Sequence, residues 1–285
     1  MNLKPLAAAL LTLQTLPALA DETKNSASLE LTGLQYQGSS LRTQLQQQKL
    51  NLGLQASPAF GLNLGLGEST VDYQSASSLK ERGLSLSVGG LSATRQWAWR
   101  LGGIRLDDTQ TGNPDLRTQS LQAGLGWWPT PERLLDAGYS RTRLDNGILI
   151  DQLTPMVGGS FNRQYTWLQL RGYFQQFSQP SEGLETAASA ELKVTQWLDP
   201  GSAFKPRTLQ AMVQGGKRLY GVDTDAGELY SLPYIQTASA WAGAGWRLGE
   251  HVDLTGLAGV SKAHSVSLAD TLKSRFIYLN LSTHW

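Results

Sequence analysis

The feature that most constrains this chain is an alternation of apolar and polar residues with a period of two, recurring from about residue 26 to the C-terminus. Successive side chains of a strand point to opposite faces, so such a pattern lays down strands with one apolar and one polar face. Leu50, Leu52, Leu54 and Ala56 alternate with Lys49, Asn51, Gly53 and Gln55. After Ser57-Pro58-Ala59-Phe60-Gly61 the pattern resumes as Leu62, Leu64 and Leu66 against Asn63, Gly65 and Gly67, which reads as a hairpin. It returns at Leu84-Leu86-Val88, Leu121-Ala123-Leu125-Trp127, Leu168-Leu170-Gly172-Phe174, Ala188-Ala190-Leu192-Val194, Leu209-Ala211-Val213, Ala238-Ala240-Ala242-Ala244-Trp246 and Ile277-Leu279-Leu281. No stretch shows an equally persistent helical period.

The alternating segments predict about fourteen strands, at 26-37, 45-56, 61-73, 83-90, 95-106, 117-128, 134-144, 149-158, 163-176, 185-198, 207-219, 236-248, 251-263 and 274-285. Pro58, Pro129, Pro131, Pro200 and Pro206 fall in connections, where a missing N–H removes nothing from a ladder. Pro155 is the exception. It sits in the weakly alternating eighth segment, so twelve strands with a long loop there is the alternative. Barrels that cross membranes have short periplasmic turns and longer outer loops, and fourteen strands place the long Gly221–Ile235 segment outside, whereas twelve place it inside.

The start of the chain sets the compartment. Lys4, the apolar run Leu6 to Leu16 and Ala18-Leu19-Ala20 read as a cleaved signal peptide over 1–20, leaving 21–285 as one domain. No later apolar run is long enough for a spanning helix. Lys4 is one of 24 Lys and Arg; without it they equal the 23 Asp and Glu, so there is no charge excess to attract nucleic acid. With no cysteine, disulfides, thiolate metal sites and thiol nucleophiles are all excluded. A mean hydropathy of −0.26 together with 30 Gly and nine Trp fits strands that are apolar on one face only. The expected fold is an all-β, transmembrane, antiparallel β-barrel in contact with outer-membrane lipid of a Gram-negative bacterium.

Trp and Tyr favour membrane interfaces, where an apolar ring meets a hydrated edge. Trp97, Trp99, Trp127, Trp128, Trp167, Trp197, Trp246 and Trp285 fall near expected periplasmic ends, with Trp241 deeper; Tyr36, Tyr73, Tyr173 and Tyr220 fall near expected outer ends. The two sets read as interface girdles. The last strand ends on the aromatic Trp285, a terminal signature that outer-membrane barrels share and that the barrel-assembly machinery is thought to read.

The layout resembles the YaiO-type family of outer-membrane barrels. The likeness rests on length, on Trp127-Trp128-Pro129 followed by Gly138-Tyr139-Ser140-Arg141, and on a closing hairpin from Leu248 to Gly259 and Phe276 to Leu281. It implies an outer-membrane location and carries over no catalytic residues. Some similar barrels are linked to exopolysaccharide export behind helical-repeat scaffolds, a repeat domain absent from this sequence.

The polar face should line the lumen: Lys49, Asn51, Gln55, Asn63, Arg100, Gln122, Gln169, Arg171, Glu191, Lys193, Gln210, Gln214, Arg247, Asp253 and Asn280. Mixed charge and amides offer hydrogen bonds to neutral polar solutes, whereas rings of one sign would select ions. The leading expectation is a non-enzymatic pore or export conduit for polar solutes or polysaccharide, needing no cofactor or metal. The alternatives are a plugged barrel serving surface adhesion or assembly, and a rim hydrolase. For the hydrolase, the histidines are His251, His264 and His284, and His264 with Asp270 is the only candidate pair. Asp223-Thr224-Asp225-Ala226-Gly227-Glu228 resembles a fragment of a calcium loop without the remaining ligands, and Asp107-Asp108 with Gly112-Asn113-Pro114-Asp115 reads as solvated turns. Gly102-Gly103, Gly158-Gly159 and Gly215-Gly216 lead into no helix and so cradle no phosphate.

Overall fold

The computed structural model describes residues 25–57, 59–110, 116–198, 205–223, 228–229 and 234–285; the expected signal peptide lies outside them. Fourteen antiparallel strands close into one barrel: β1 (Ser26–Gln37), β2 (Arg42–Ser57), β3 (Phe60–Tyr73), β4 (Leu79–Leu91), β5 (Trp97–Thr109), β6 (Leu116–Thr130), β7 (Arg133–Arg143), β8 (Leu149–Phe161), β9 (Thr166–Ser181), β10 (Leu184–Trp197), β11 (Thr208–Arg218), β14 (Ile235–Arg247), β15 (Val252–Ser265) and β16 (Asp270–His284). Between β11 and β14, β12 (Val222–Asp223) and β13 (Glu228–Leu229) pair with each other alone. Closure is made by β1 on β16, in unbroken register from Ser26↔His284 to Gln37↔Lys273, so no sheet edge is left open.

The eighth segment is a true strand, which settles fourteen against twelve. Pro155 pairs with Ala137 of β7, but the ladder to β9 lapses between Leu153↔Phe174 and Met156↔Arg171. The proline removes one donor on one side; the register on both flanks is unchanged, so the strand survives. At the outer end, β9 and β10 run further than the expected Ser178–Leu184 loop allows. They meet in a two-residue turn, Glu182 at φ 50° and Gly183 at φ 75°, the left-handed pair that suits the twist of a hairpin.

Which face turns outward is decided by the alternation. Leu50, Leu66, Leu84, Leu101, Leu121, Leu153, Phe174, Val213 and Ile277 are all exposed, Leu121 to 72% and Ile277 to 62%. They continue around the wall as one belt of apolar side chains. A water-soluble monomer does not expose an apolar surface of that extent, so the belt must lie against lipid.

Candidate functional site: the lumen and its outer closure

Strand parity sends one set of side chains inside, and the fifteen polar residues read as lumen-facing from Lys49 to Asn280 all occupy inward positions. They are not equivalent. Lys49, Arg100, Gln169, Arg171, Gln214 and Asn280 are buried, while Asn51, Gln55, Asn63, Gln122, Glu191, Lys193, Gln210, Arg247 and Asp253 are half-buried. Arg100 makes a bidentate pair with Asp136, at 2.6 and 2.7 Å. Asn51 donates to Glu30, Tyr173 to Glu191 and Arg247 to Asp253, and Ser239 donates to Gln214.

The interior has two unlike halves. On β7, on β8 from Ile150 to Gly158 and on β9 from Trp167 to Phe177, every inward position is buried. At the periplasmic end of that half Leu91, Ala98, Trp128, Leu134, Met156 and Trp167 form a packed cluster with Trp197 against it. On β1, β2, β4, β14, β15 and β16 most inward positions are half-exposed instead, including Leu34, Asn51, Ser85, Trp241, Leu257, Phe276 and Tyr278. Whatever space crosses the barrel follows this second half.

At the outer mouth, described residues between β11 and β14 are held inside the barrel. Gln152 and Gln175, inward neighbours on β8 and β9, hold the backbone there with their side-chain amides. Gln152 Nε2 donates to Val222 O at 2.7 Å while its Oε1 accepts from Val222 N at 3.2 Å. Gln175 Nε2 donates to Leu219 O at 2.8 Å and its Oε1 accepts from Leu219 N at 3.0 Å. Gln175 Nε2 also donates to Gln152 Oε1 at 3.0 Å, so the two amides act as a short stretch of strand edge. Leu219 then packs on Ile150 and Phe177, and Val222 and Leu229 pack on Ile104 and Leu106 of β5. The segment returns at Tyr234, whose hydroxyl donates to Asp270 at 2.7 Å and whose ring lies 4.3 Å beneath the Arg42 guanidinium. Asp270 also accepts from Ser39 at 2.7 Å and from the Ser40 N–H at 3.0 Å. The described residues of the segment thus reach three sides of the mouth.

Gln152 and Gln175 both sit at inward parity, yet the sequence does not single them out. The poor alternation of Ile150 to Val157 hid the first, and the second lies at the very end of the expected ninth segment. Several aromatics need correction. Trp97, Trp99, Trp127, Trp246 and Trp285 turn outward or lie at the periplasmic rim, with Trp97 and Trp127 stacked at 5.6 Å. Trp128, Trp167 and Trp197 instead face inward, as do Tyr36, Tyr73 and Tyr173, while Tyr220 packs on the cluster around Leu219. Position along a strand places an aromatic at an interface; only parity decides whether lipid or lumen meets it. Tyr73 lies under Arg42 and Tyr173 under Arg218, which makes them parts of the mouth.

His264 and Asp270 do not form a pair. His264 pairs with Thr271 on the outward face, and Asp270 pairs with Ser265 on the inward face, where its carboxylate is already engaged. The candidate calcium fragment and the 112–115 turn fall mainly outside the described residues; Asp107 accepts from Arg105 and Arg117. Gly158 makes room for the Trp167 ring, since a Cβ there would lie 2.3 Å from Cζ2.

No family model matches the chain, and no curated protein does. Among solved structures, it is similar to the Pseudomonas putida toluene transporter TodX, with a TM-score of 0.59 at 9% identity over 96% of this chain and 93% of that one. A Pseudomonas aeruginosa FadL homologue gives 0.54 at 11% identity, covering 95% and 92%. A bacterial polysaccharide outer membrane secretin gives 0.54 at 11%, covering 93% and 99%. The fold is that of an outer-membrane β-barrel. At these identities the likeness extends to fold alone, and it is to outer-membrane barrels in general rather than to the YaiO type.

Proposed function

We propose that this barrel is a gated conduit in the outer membrane of a Gram-negative bacterium, carrying polar solutes or glycans past a gate that includes Leu219, Val222, Leu229 and Tyr234. The observation that carries this reading is the clip made by Gln152 and Gln175. Side-chain amides that mimic a strand edge hold the segment by four hydrogen bonds, each of which water can replace at a net cost of only about 1 kcal/mol. Such a closure opens without unfolding the wall. Beside it, the less packed half of the lumen presents Asn51 and Ser85 for hydroxyls, and Trp241, Phe276 and Tyr278 as faces on which sugar rings can stack. The likeness to a polysaccharide secretin agrees with this choice of cargo.

A second reading is an apolar solute, favoured by the inward Leu34, Met212, Trp241 and Phe276 and by the fold shared with a toluene transporter. One experiment addresses both. In planar bilayers the refolded barrel should be mostly closed, and Gln152→Ala with Gln175→Ala should raise its open time at least tenfold. Neutral oligosaccharides should then block the open channel, while toluene-like aromatics that block in their place would favour the second reading. A barrel silent in both forms would sink the conduit and leave the plugged adhesion or assembly role.

A further inference from the structure

The outward face of β7 to β11 departs from a uniform lipid-facing wall. The register sorts its residues into rows. Leu135, Val157, Leu170, Leu192 and Val213 form a row of large aliphatics. One step outward, Ala137, Pro155, Gly172, Ala190 and Gly215 are all small. The next row, Tyr139, Leu153, Phe174 and Ala188, is apolar again, and above it stand Arg141, Asp151, Gln176 and Thr186. A cavity of about 660 Å³ opens here, lined among others by Tyr139, Leu153, Phe174, Ala188, Thr186 and Lys217. Its size is that of a small-ligand pocket.

The cause is local. β11 stays with β10 only as far as Ser189↔Gly216, and its register against β14 shifts between Gly215 and Arg218. Gly216 takes φ 107°, and a Cβ there would lie 2.5 Å from Ala188 O, so only glycine permits this departure. Beyond it Arg218 turns inward onto Tyr173, and Lys217 is left at the cavity. Lys217 is exposed and has no hydrogen-bond or ion-pair partner among the described residues. The one carboxylate of the cavity, Asp151, is compensated, accepting from the Tyr139 hydroxyl and pairing with Arg141 at 3.5 Å.

The surrounding charge has one prevailing sign. At the outer ends of the strands, Arg82, Arg117, Arg143, Lys262 and Arg275 stand at outward positions just above the apolar belt, Arg82 beside Glu68 and Arg117 paired with Asp107. Cations at that height face whatever anion the outer leaflet presents.

We propose that this cavity seats a phosphorylated glycolipid of the outer leaflet. An acyl chain lies across the small row beneath Leu153 and Phe174, phosphates meet Lys217 and Arg141, and sugar hydroxyls meet Gln176 and Thr186. The spacing selects a glycolipid over a phospholipid. β7 and β11 are four inter-strand spacings apart, roughly 19 Å at about 4.8 Å each, too far for a single phosphate to engage both cations. A headgroup with two phosphates on a disaccharide can.

The test uses the full mature chain refolded in neutral detergent, with bisphosphorylated lipid A as probe and native mass spectrometry counting bound lipid. The wild type should retain one lipid A. Lys217→Gln should weaken binding about tenfold, and Ala188→Trp, which fills the cavity without touching charge, should abolish the adduct. Lys262→Gln, on a distant part of the wall, should leave it intact, and heat-modified gel mobility reports that each variant is folded. The proposal is overturned if Lys217→Gln binds as well as Lys262→Gln, if Ala188→Trp keeps the adduct, or if phosphatidylglycerol or dephosphorylated lipid A is retained equally.

Discussion

Arg100 on β5 and Asp136 on β7 reach each other across β6 only because Gly124 stands between them; a Cβ there would lie 2.4 Å from the guanidinium carbon. Both side chains are nearly dry, 7% and 2% exposed. Breaking a buried pair from one side strands a charge, so Asp136→Ala should destabilise the barrel by about 3–5 kcal/mol in urea unfolding from lipid vesicles. The double variant Arg100→Met with Asp136→Leu should lose much less. Equal losses would mean that the pair itself, rather than the stranded charge, carries the effect. Period-two parity put Arg100 inside from the sequence alone. It could not name Asp136 as its partner, because that depends on the stagger between strands two apart. The same parity would have turned Trp128 and Trp167 inward, had it been weighed above their position beside a turn.

At the scale of elements, the outer turns are tied to one another. Glu182, in the β9–β10 turn, accepts from the Ser265 and Ser267 hydroxyls and from the Val266 and Ser267 N–H groups of the β15–β16 connection. Burial pushes its carboxyl up, but those donors outweigh burial and hold it below the ordinary glutamate value of 4.5. A lowered folded-state value stabilises the tie above the ordinary value and withdraws that support as pH falls through the lowered one. The protection factors of the Val266 and Ser267 amides, exchange taken relative to its intrinsic rate at each pH, should therefore fall on acidification, and Glu182→Gln should make them low and independent of pH over the same window. Exchange unaltered by that substitution would refute the tie. Neither the tie nor the two-residue turn that presents Glu182 was visible in the sequence. Ser178 to Leu184 carries the polar, Pro- and Gly-containing composition of a loop, and β pairing overrides it there. Pro155 shows the converse: a residue that argued against a strand costs one ladder bond and nothing of the register.

For the molecule as a whole, the wall was written in the chain and the state of its lumen was not. Alternation repeated over fourteen segments has to close on itself, whereas the inward placing of Leu219 and Val222 depends on contacts 44 and 70 residues away, at Gln175 and Gln152. If that segment is the gate, pinning it should shut the barrel without altering the wall. The absence of cysteine makes this direct: Val222→Cys and Ile104→Cys, which belong to one packed cluster, supply the only two thiols in the chain. A short bifunctional thiosulfonate should link them and reduce conductance in the Gln152→Ala, Gln175→Ala background to the closed level, and a reductant should restore it. Because the tether touches nothing outside the mouth, heat-modified mobility should stay constant throughout. Conductance that persists through the linkage would place the pathway elsewhere, along the less packed half beside Trp241 and Phe276, with the clipped segment serving only to brace the mouth.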